Sequence, residues 1–208
     1  MAQRLAAQGF TVLRPQPPDM TLATLADDVA LAITRLGGPG PAVVVGHAYG
    51  HWVARVAESR HPMLVRGVVL LGAGARNFPS GLSAQLDIAS DPGKPEADRL
   101  RALRQVMFPP GNDPRVWLTG WHPEWRAAYR AASQQPPKDS WFGISQAPVL
   151  DLIGEQDPWR PADTRTELQR LLPDKVTVQL IAGASHAMVP ERPAGIAAAI
   201  TAWVRGLR

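Results

Sequence analysis

The sequence predicts an α/β fold, a mostly parallel sheet flanked by helices, and three observations carry the prediction. Strand-like apolar runs alternate with helix-like runs over most of the chain. The run at 42–46 is near-continuously apolar, as in a strand covered on both faces, and 65–71 is another apolar run. Three strand-like runs end in short turns: Gly46-His47-Ala48-Tyr49-Gly50, Gly154-Glu155-Gln156-Asp157-Pro158 and Gly183-Ala184-Ser185-His186.

In chain order, residues 2–8 read as the tail of a helix stopped by Gly9. Phe10-Thr11-Val12-Leu13 reads as a strand, ended by the proline-rich RPQPPD at 14–19. From Thr21 to Leu36 the residues Leu22, Leu25, Val29, Ile33 and Leu36 recur at helical spacing, and Gly37-Gly38 closes that helix. A strand at 42–46 and a helix to about residue 60 follow, then a strand at Val65–Leu71. Strands at 148–154 and 176–181 flank a helical pattern over Ala162–Leu172. The final helix places Ile196, Ile200, Trp203, Val204 and Leu207 on one face.

The stretch 76–146 breaks this rhythm, being rich in Pro, Gly, Trp and Arg with one clear helix near 95–107. It reads as a helical insertion over the carboxyl ends of the strands. The expected organisation is therefore a core of 1–75 and 147–208 with a cap at 76–146.

With 208 residues the chain suits one domain carrying an insertion, and it can bury about 70% of its unfolded surface without a staple. The absence of Cys excludes disulfides, thiolate metal sites and a cysteine nucleophile. A net charge of +4 arises from Arg scattered among Asp and Glu, so no nucleic-acid partner is expected. No run approaches the roughly 18 apolar residues of a membrane span, and the first residues lack a signal-peptide core. The reading is of a soluble cytoplasmic protein whose partner is a small-molecule substrate, with no metal and no cofactor.

Loops at the carboxyl ends of parallel strands converge on one crevice, so the three turns can meet in space. On these residues the chain resembles the α/β-hydrolase superfamily, across essentially its whole length. That family orders its triad as nucleophile, acid, His. The resemblance assigns these roles to Ala48, Asp157 and His186, with the Tyr49 backbone N–H as an oxyanion donor. A His with an ordinary pKa near 6.5 suits a general base, and a carboxylate on its far nitrogen holds the tautomer. Asp151, inside its strand, and Asp163, further along, are rival acids. His47 is expected to pack structurally, and His51 and Glu58 to serve helix surface or packing rather than catalysis. Gly46 and Gly50 are expected to relieve crowding in the turn. Trp117, Trp121, Trp141 and Met188 are candidate substrate-pocket linings, or packing residues of the cap.

Two departures from the family qualify this assignment. Ala48 stands where the nucleophilic serine belongs, a loss on the order of 10⁶-fold for the covalent route. Tyr49 and Ser185 are not expected to replace it. His51, where the family commonly has a small residue, makes a second change in the same turn and favours natural divergence over a single engineered substitution. The resemblance also implies three strands before this chain's first, the third carrying a His-Gly oxyanion turn. Either strand 10–13 moves over to pair with strand 42–46, or the natural chain begins upstream of Met1, and the second is favoured. Without the intervening strand, spacings of ~4.8 Å leave a gap of about 10 Å and two open edges.

Three functions follow. The first is a hydrolase-like enzyme on a small apolar ester or related substrate, with Asp157–His186 as general base and a degenerate nucleophile. The second is a cofactor-free dioxygenase or lyase using the same pair for proton abstraction. The third is a non-catalytic small-molecule binder.

Overall fold

The computed structural model describes residues 1–13 and 21–207. The elements are α1 (Ala2–Ala6), α2 (Leu22–Leu36), β1 (Ala42–His47), α3 (Gly50–Arg60) and β2 (Val65–Leu71). The middle of the chain supplies α4 (Leu82–Ser90), α5 (Glu96–Val106) and α6 (Arg126–Ala132). β3 (Val149–Gly154), α7 (Glu167–Leu171), β4 (Val176–Ile181), α8 (Met188–Glu191) and α9 (Pro193–Gly206) complete it.

The sheet follows the chain in the order β1-β2-β3-β4, and each neighbouring pair is parallel. The register sets Val45 against Val69, Leu70 against Asp151, and Asp151 against Val178. Because alternate strand residues point to opposite faces, β2 serves two cores. Val69 and Leu71 pack with Leu150, Leu152 and the α9 residues Ile196 and Ile200. Val68 and Leu70 pack with Val149, Ala54 of α3 and Leu168 of α7. β2 and β3 thus have apolar cores on both faces, the double coverage expected for 42–46.

β1 departs from that expectation. Its three valines are only partly buried, and Val45 is 36% exposed, because among the described residues β1 pairs on one side only. The predicted strand Phe10–Leu13 forms no ladder with it. Four residues offer few ladder bonds, and Gly9 (φ +88) and a Phe10 N–H bonded back to Leu5 tie the segment to the end of α1. A cavity separates Phe10–Leu13 from Val43, Val44 and Val45, so the first of the two arrangements considered above is not adopted. The proline-rich turn expected at 14–19 lies outside the described residues.

α2 begins as its sequence predicts. Thr21 and Thr24 form a reciprocal cap, and Leu22 and Ala26 are buried against Val56 and Ala57 of α3. The helix predicted over 162–172 is shorter, a 3-10 turn at Ala162–Thr164 followed by α7. Within 76–146, α4 and α5 form one apolar cluster with Met107 and Phe108, and this cluster also holds Trp159 and Ala187. Those two residues sit beside the predicted acid and base. Residues 76–146 therefore pack on the turns that carry Asp157 and His186.

Candidate active site

Two residues separate β1 from α3, and Ala48 takes the strain of the turn. Its φ of +49° is the single positive value among the described non-glycine residues. For an L-residue this left-handed conformation costs about 1–2 kcal/mol. The turn is held by the Ala48 N–H to the Leu71 carbonyl and the His51 N–H to the Ala48 carbonyl, both at 3.0 Å. A side chain at Gly46 would place its Cβ 2.2 Å from the Gly50 carbonyl oxygen, so only glycine fits there. A Cβ at Gly50 would meet open space. The crowding that was expected at both glycines is therefore confined to Gly46. The chain keeps the backbone of a nucleophile turn while presenting a methyl group at its tip.

Tyr49 caps α3, where the first N–H groups of a helix have no partner within it. Its backbone N–H therefore suits an oxyanion. Its side chain leaves toward α6, donating its hydroxyl to the Tyr129 carbonyl at 3.2 Å and meeting the Tyr129 ring edge-on.

The structure brings Asp157 and His186 together. Asp157 lies in the turn after β3, His186 in the turn after β4, and both are about 95% buried. His186 Nδ1 lies 3.0 Å from Asp157 Oδ2 and 3.2 Å from Oδ1. A carboxylate can only accept, so Nδ1 carries the proton in this contact and Nε2 is left as an acceptor. The Trp159 N–H donates to Asp157 Oδ1 at 2.8 Å and fixes the carboxylate further.

Gly72 joins this pair to the elbow. It follows Leu71, whose carbonyl takes the Ala48 N–H, and its φ is +53°. A Cβ there would stand 3.5 Å from both Asp157 Oδ2 and His186 Nδ1. The elbow and the pair are thus one residue apart through the end of β2. The rival Asp151 is fully buried in β3 on Arg160, and Asp163 lies in the 3-10 turn at Ala162–Thr164. Neither is bonded to His186. Ser185 is buried beside the base, its N–H held by Glu191 Oε2 at 2.7 Å.

His47 does more than pack. Its Nε2–H donates to the His186 carbonyl at 2.8 Å, and burial, then the nearby His186, hold its pKa down to about 4. His51 is buried with no partner at Nδ1, and burial, then Arg55, push its pKa well below the usual range. Glu58 is buried too, and its Oε1 accepts the N–H groups of Gln146 and Ala147, pinning the end of the insertion to α3.

A cavity of about 1110 Å³ runs from the open side of β1 to the elbow, where His47, Tyr49 and Gly50 form part of its wall. Leu86, Trp121 and Tyr129 face the elbow from the inserted stretch. Asp157 and His186 stand behind His47 and do not line this cavity. Trp121 is in the wall, and Trp117 lies behind it, 6.2 Å from the His47 ring centre to centre. The structure places the other two candidate linings elsewhere. Trp141 is 1% exposed in the α2–α3 core, and Met188 is fully buried beneath the sheet against α9. Their aromatic or thioether character identified them as apolar, and only the tertiary packing decides which surface they meet.

Among the described residues no group of His, Asp and Glu could hold a metal ion, and no helix is long and apolar enough to cross a membrane.

The model of the alpha/beta hydrolase family matches residues 2–199. No curated protein matches the chain. Among solved structures, a thermophilic esterase from Thermogutta terrifontis is 23% identical with a TM-score of 0.72, over 96% of this chain and 77% of its own. The esterase RhEst1 from Rhodococcus sp. ECU1013 is 22% identical with a TM-score of 0.69, over 99% of this chain and 85% of its own. Rv0554 from Mycobacterium tuberculosis is 24% identical with a TM-score of 0.73, over 92% of this chain and 75% of its own. At such identities these likenesses establish the fold, not the reaction.

Proposed function

The chain belongs to the alpha/beta hydrolase family, and from that premise we propose that it acts on a small apolar ester or related substrate by general-base catalysis without a covalent intermediate. The observation that carries this reading is the buried Asp157–His186 pair, its carboxylate 3.0 Å from Nδ1, retained beside an elbow whose tip is Ala48. A pair that has lost its nucleophile keeps its base.

In this reading His186 Nε2 removes a proton from water as the water oxygen bonds to the acyl carbon. Asp157 stabilises the imidazolium that forms. The Tyr49 N–H supports the developing oxyanion. The imidazolium then returns its proton to the leaving alkoxide as the carbon–oxygen bond breaks. Water replaces the serine, and the smaller Ala48 side chain leaves it room. The apolar cavity wall at Leu86 and Trp121 suits an apolar substrate, whose reacting carbon must pass His47 to meet His186, which lies outside that wall.

Ala48 itself favours a second reading, proton abstraction from an acidic C–H of the substrate, as in a lyase or cofactor-free dioxygenase. That chemistry needs the base but no nucleophile.

A panel of short-chain esters tests the first reading on the protein, on His186→Ala and on Ala48→Ser. Weak turnover that disappears in His186→Ala, and rises in Ala48→Ser, is the expected result. Turnover unchanged in His186→Ala would remove the base from the mechanism. An Ala48→Ser variant inert on every ester would favour proton abstraction. Tight ligand binding with no turnover, indifferent to His186→Ala, would mark a binder.

A further inference from the structure

Three residues after the acid, the chain buries an arginine almost completely. Arg160 is 2% exposed, yet nothing in the proposed chemistry uses it. Its Nη2 donates to Asp151 Oδ2 at 2.6 Å, a carboxylate that is itself fully buried inside β3. Its Nη1 donates to the Ala73 carbonyl at 2.9 Å, and its Nε to the Thr164 carbonyl at 3.2 Å. Its own N–H returns to the Asp157 carbonyl at 3.1 Å.

These partners come from three separate places. Asp151 belongs to a central strand, Ala73 to the turn after β2, and Thr164 to the chain beyond the acid loop. A second link joins the same turns, since the Ala75 N–H donates to the Trp159 carbonyl at 2.9 Å. Ala73 directly follows Gly72, against which Asp157 and His186 rest. A planar guanidinium can hold several acceptors in fixed directions at once, which an ammonium cannot do. Burying such a charge is costly unless each bond is made, and a stabilising core alone would be served by apolar residues.

We propose that Arg160 is a positioning residue: anchored on Asp151, it locks the Asp157 loop to the Gly72–Ala75 turn and so holds the carboxylate on His186. This inference rests on the Asp157–His186 reading above.

The test reads the His186 Nδ1 proton directly, by nuclear magnetic resonance on protein labelled with ¹⁵N-histidine. In the unaltered protein a slowly exchanging, downfield Nδ1 proton is expected, and Asp157→Asn assigns it by abolishing it. If the unaltered protein lacks it, the paired base fails, and the inference falls with it. If it is present, the paired variant Asp151→Leu/Arg160→Met, which removes both buried charges together, should stay folded by circular dichroism. Its Nδ1 proton should exchange about tenfold faster or more, because the loop opens locally. Should that variant not fold, Arg160→Lys is the substitute, keeping the charge while losing the bonds to Ala73 and Thr164. A folded variant with unchanged exchange would overturn the proposal. Failure of both variants to fold would also overturn it, assigning Arg160 to folding alone.

Discussion

His47 and His186 are joined by a 2.8 Å hydrogen bond from the Nε2–H of the first to the backbone carbonyl of the second. The residue that leads into the elbow therefore grips the loop that carries His186. This contact crosses from β1 to the turn after β4, the two ends of the sheet order. It holds the base in register with a turn that has no nucleophile.

Removing that grip should cost stability. In His47→Ala the His186 carbonyl loses its donor in a half-buried setting, worth about 1–3 kcal/mol. Urea denaturation should show a lower midpoint with an unchanged slope. A midpoint equal to that of the unaltered protein would show that water replaces the imidazole without loss.

The same residue sets an acid limit. Its folded pKa of about 4 lies below the ordinary 6.5, so the unfolded chain binds its proton first. The contribution is fully present above pH 6.5 and is lost as pH falls toward 4. Burial is the main cause, and the His186 and Asp157 side chains are the groups that face the ring. His51, also depressed by burial, adds loss in the same direction. Stability measured from pH 7 to 4 should fall less steeply in His47→Gln. A parallel decline in both proteins would show that His47 titrates normally.

At the elbow, Ala48→Gly should be harmless or stabilising by up to about 1 kcal/mol. Glycine occupies a φ of +49° without strain, and its greater unfolded entropy offsets part of the gain. Thermal denaturation decides the sign. A loss larger than 1 kcal/mol would mean that the Ala48 methyl makes contacts outweighing the strain.

Glu58→Ala should rank among the more damaging changes. It strips the acceptor from the Gln146 and Ala147 N–H groups and leaves a void under α3. A loss of about 2–4 kcal/mol is expected by chemical denaturation. Glu58→Gln, which keeps one acceptor oxygen, should recover part of it. Equal losses in the two variants would assign the effect to charge.

The two tryptophans separate packing from lining. Trp141→Ala removes a fully buried ring and should cost about 3–5 kcal/mol. Trp121→Ala opens the cavity wall, with a smaller stability cost and a larger change in KM for any ester turned over. The reverse ranking would place Trp121 in the core.

Much of this molecule was legible in one dimension. Short apolar runs marked β1 to β4 and 3.6-residue spacing marked α2 and α9, because such patterns are local properties of the chain. Ala48, Asp157 and His186 were legible because each stands at the end of a strand, and parallel topology brings such ends together. Residues 10–13 misled, since β-propensity in four residues says nothing of whether a partner strand is adjacent. Trp141 and Met188 misled because an apolar side chain carries no mark of which surface it will meet. Arg160 gave no signal at all, and Glu58 none of the partners it would meet. A charged residue is usually solvated, and nothing local distinguishes the few that are buried on partners far away in the chain.

By itself the sequence determined the α/β class and the order of the elements, and it pointed to Asp157 and His186 as residues that would meet near Ala48. Only the tertiary structure decided that Ala48 still bears the strained turn, that His47 holds the base, and that Arg160 ties the acid loop to the end of β2. The division follows from distance along the chain. Strand, helix and turn preferences act between residues a few positions apart, whereas His47–His186 and Arg160–Ala73 span many residues and exist only once the sheet has brought their ends together.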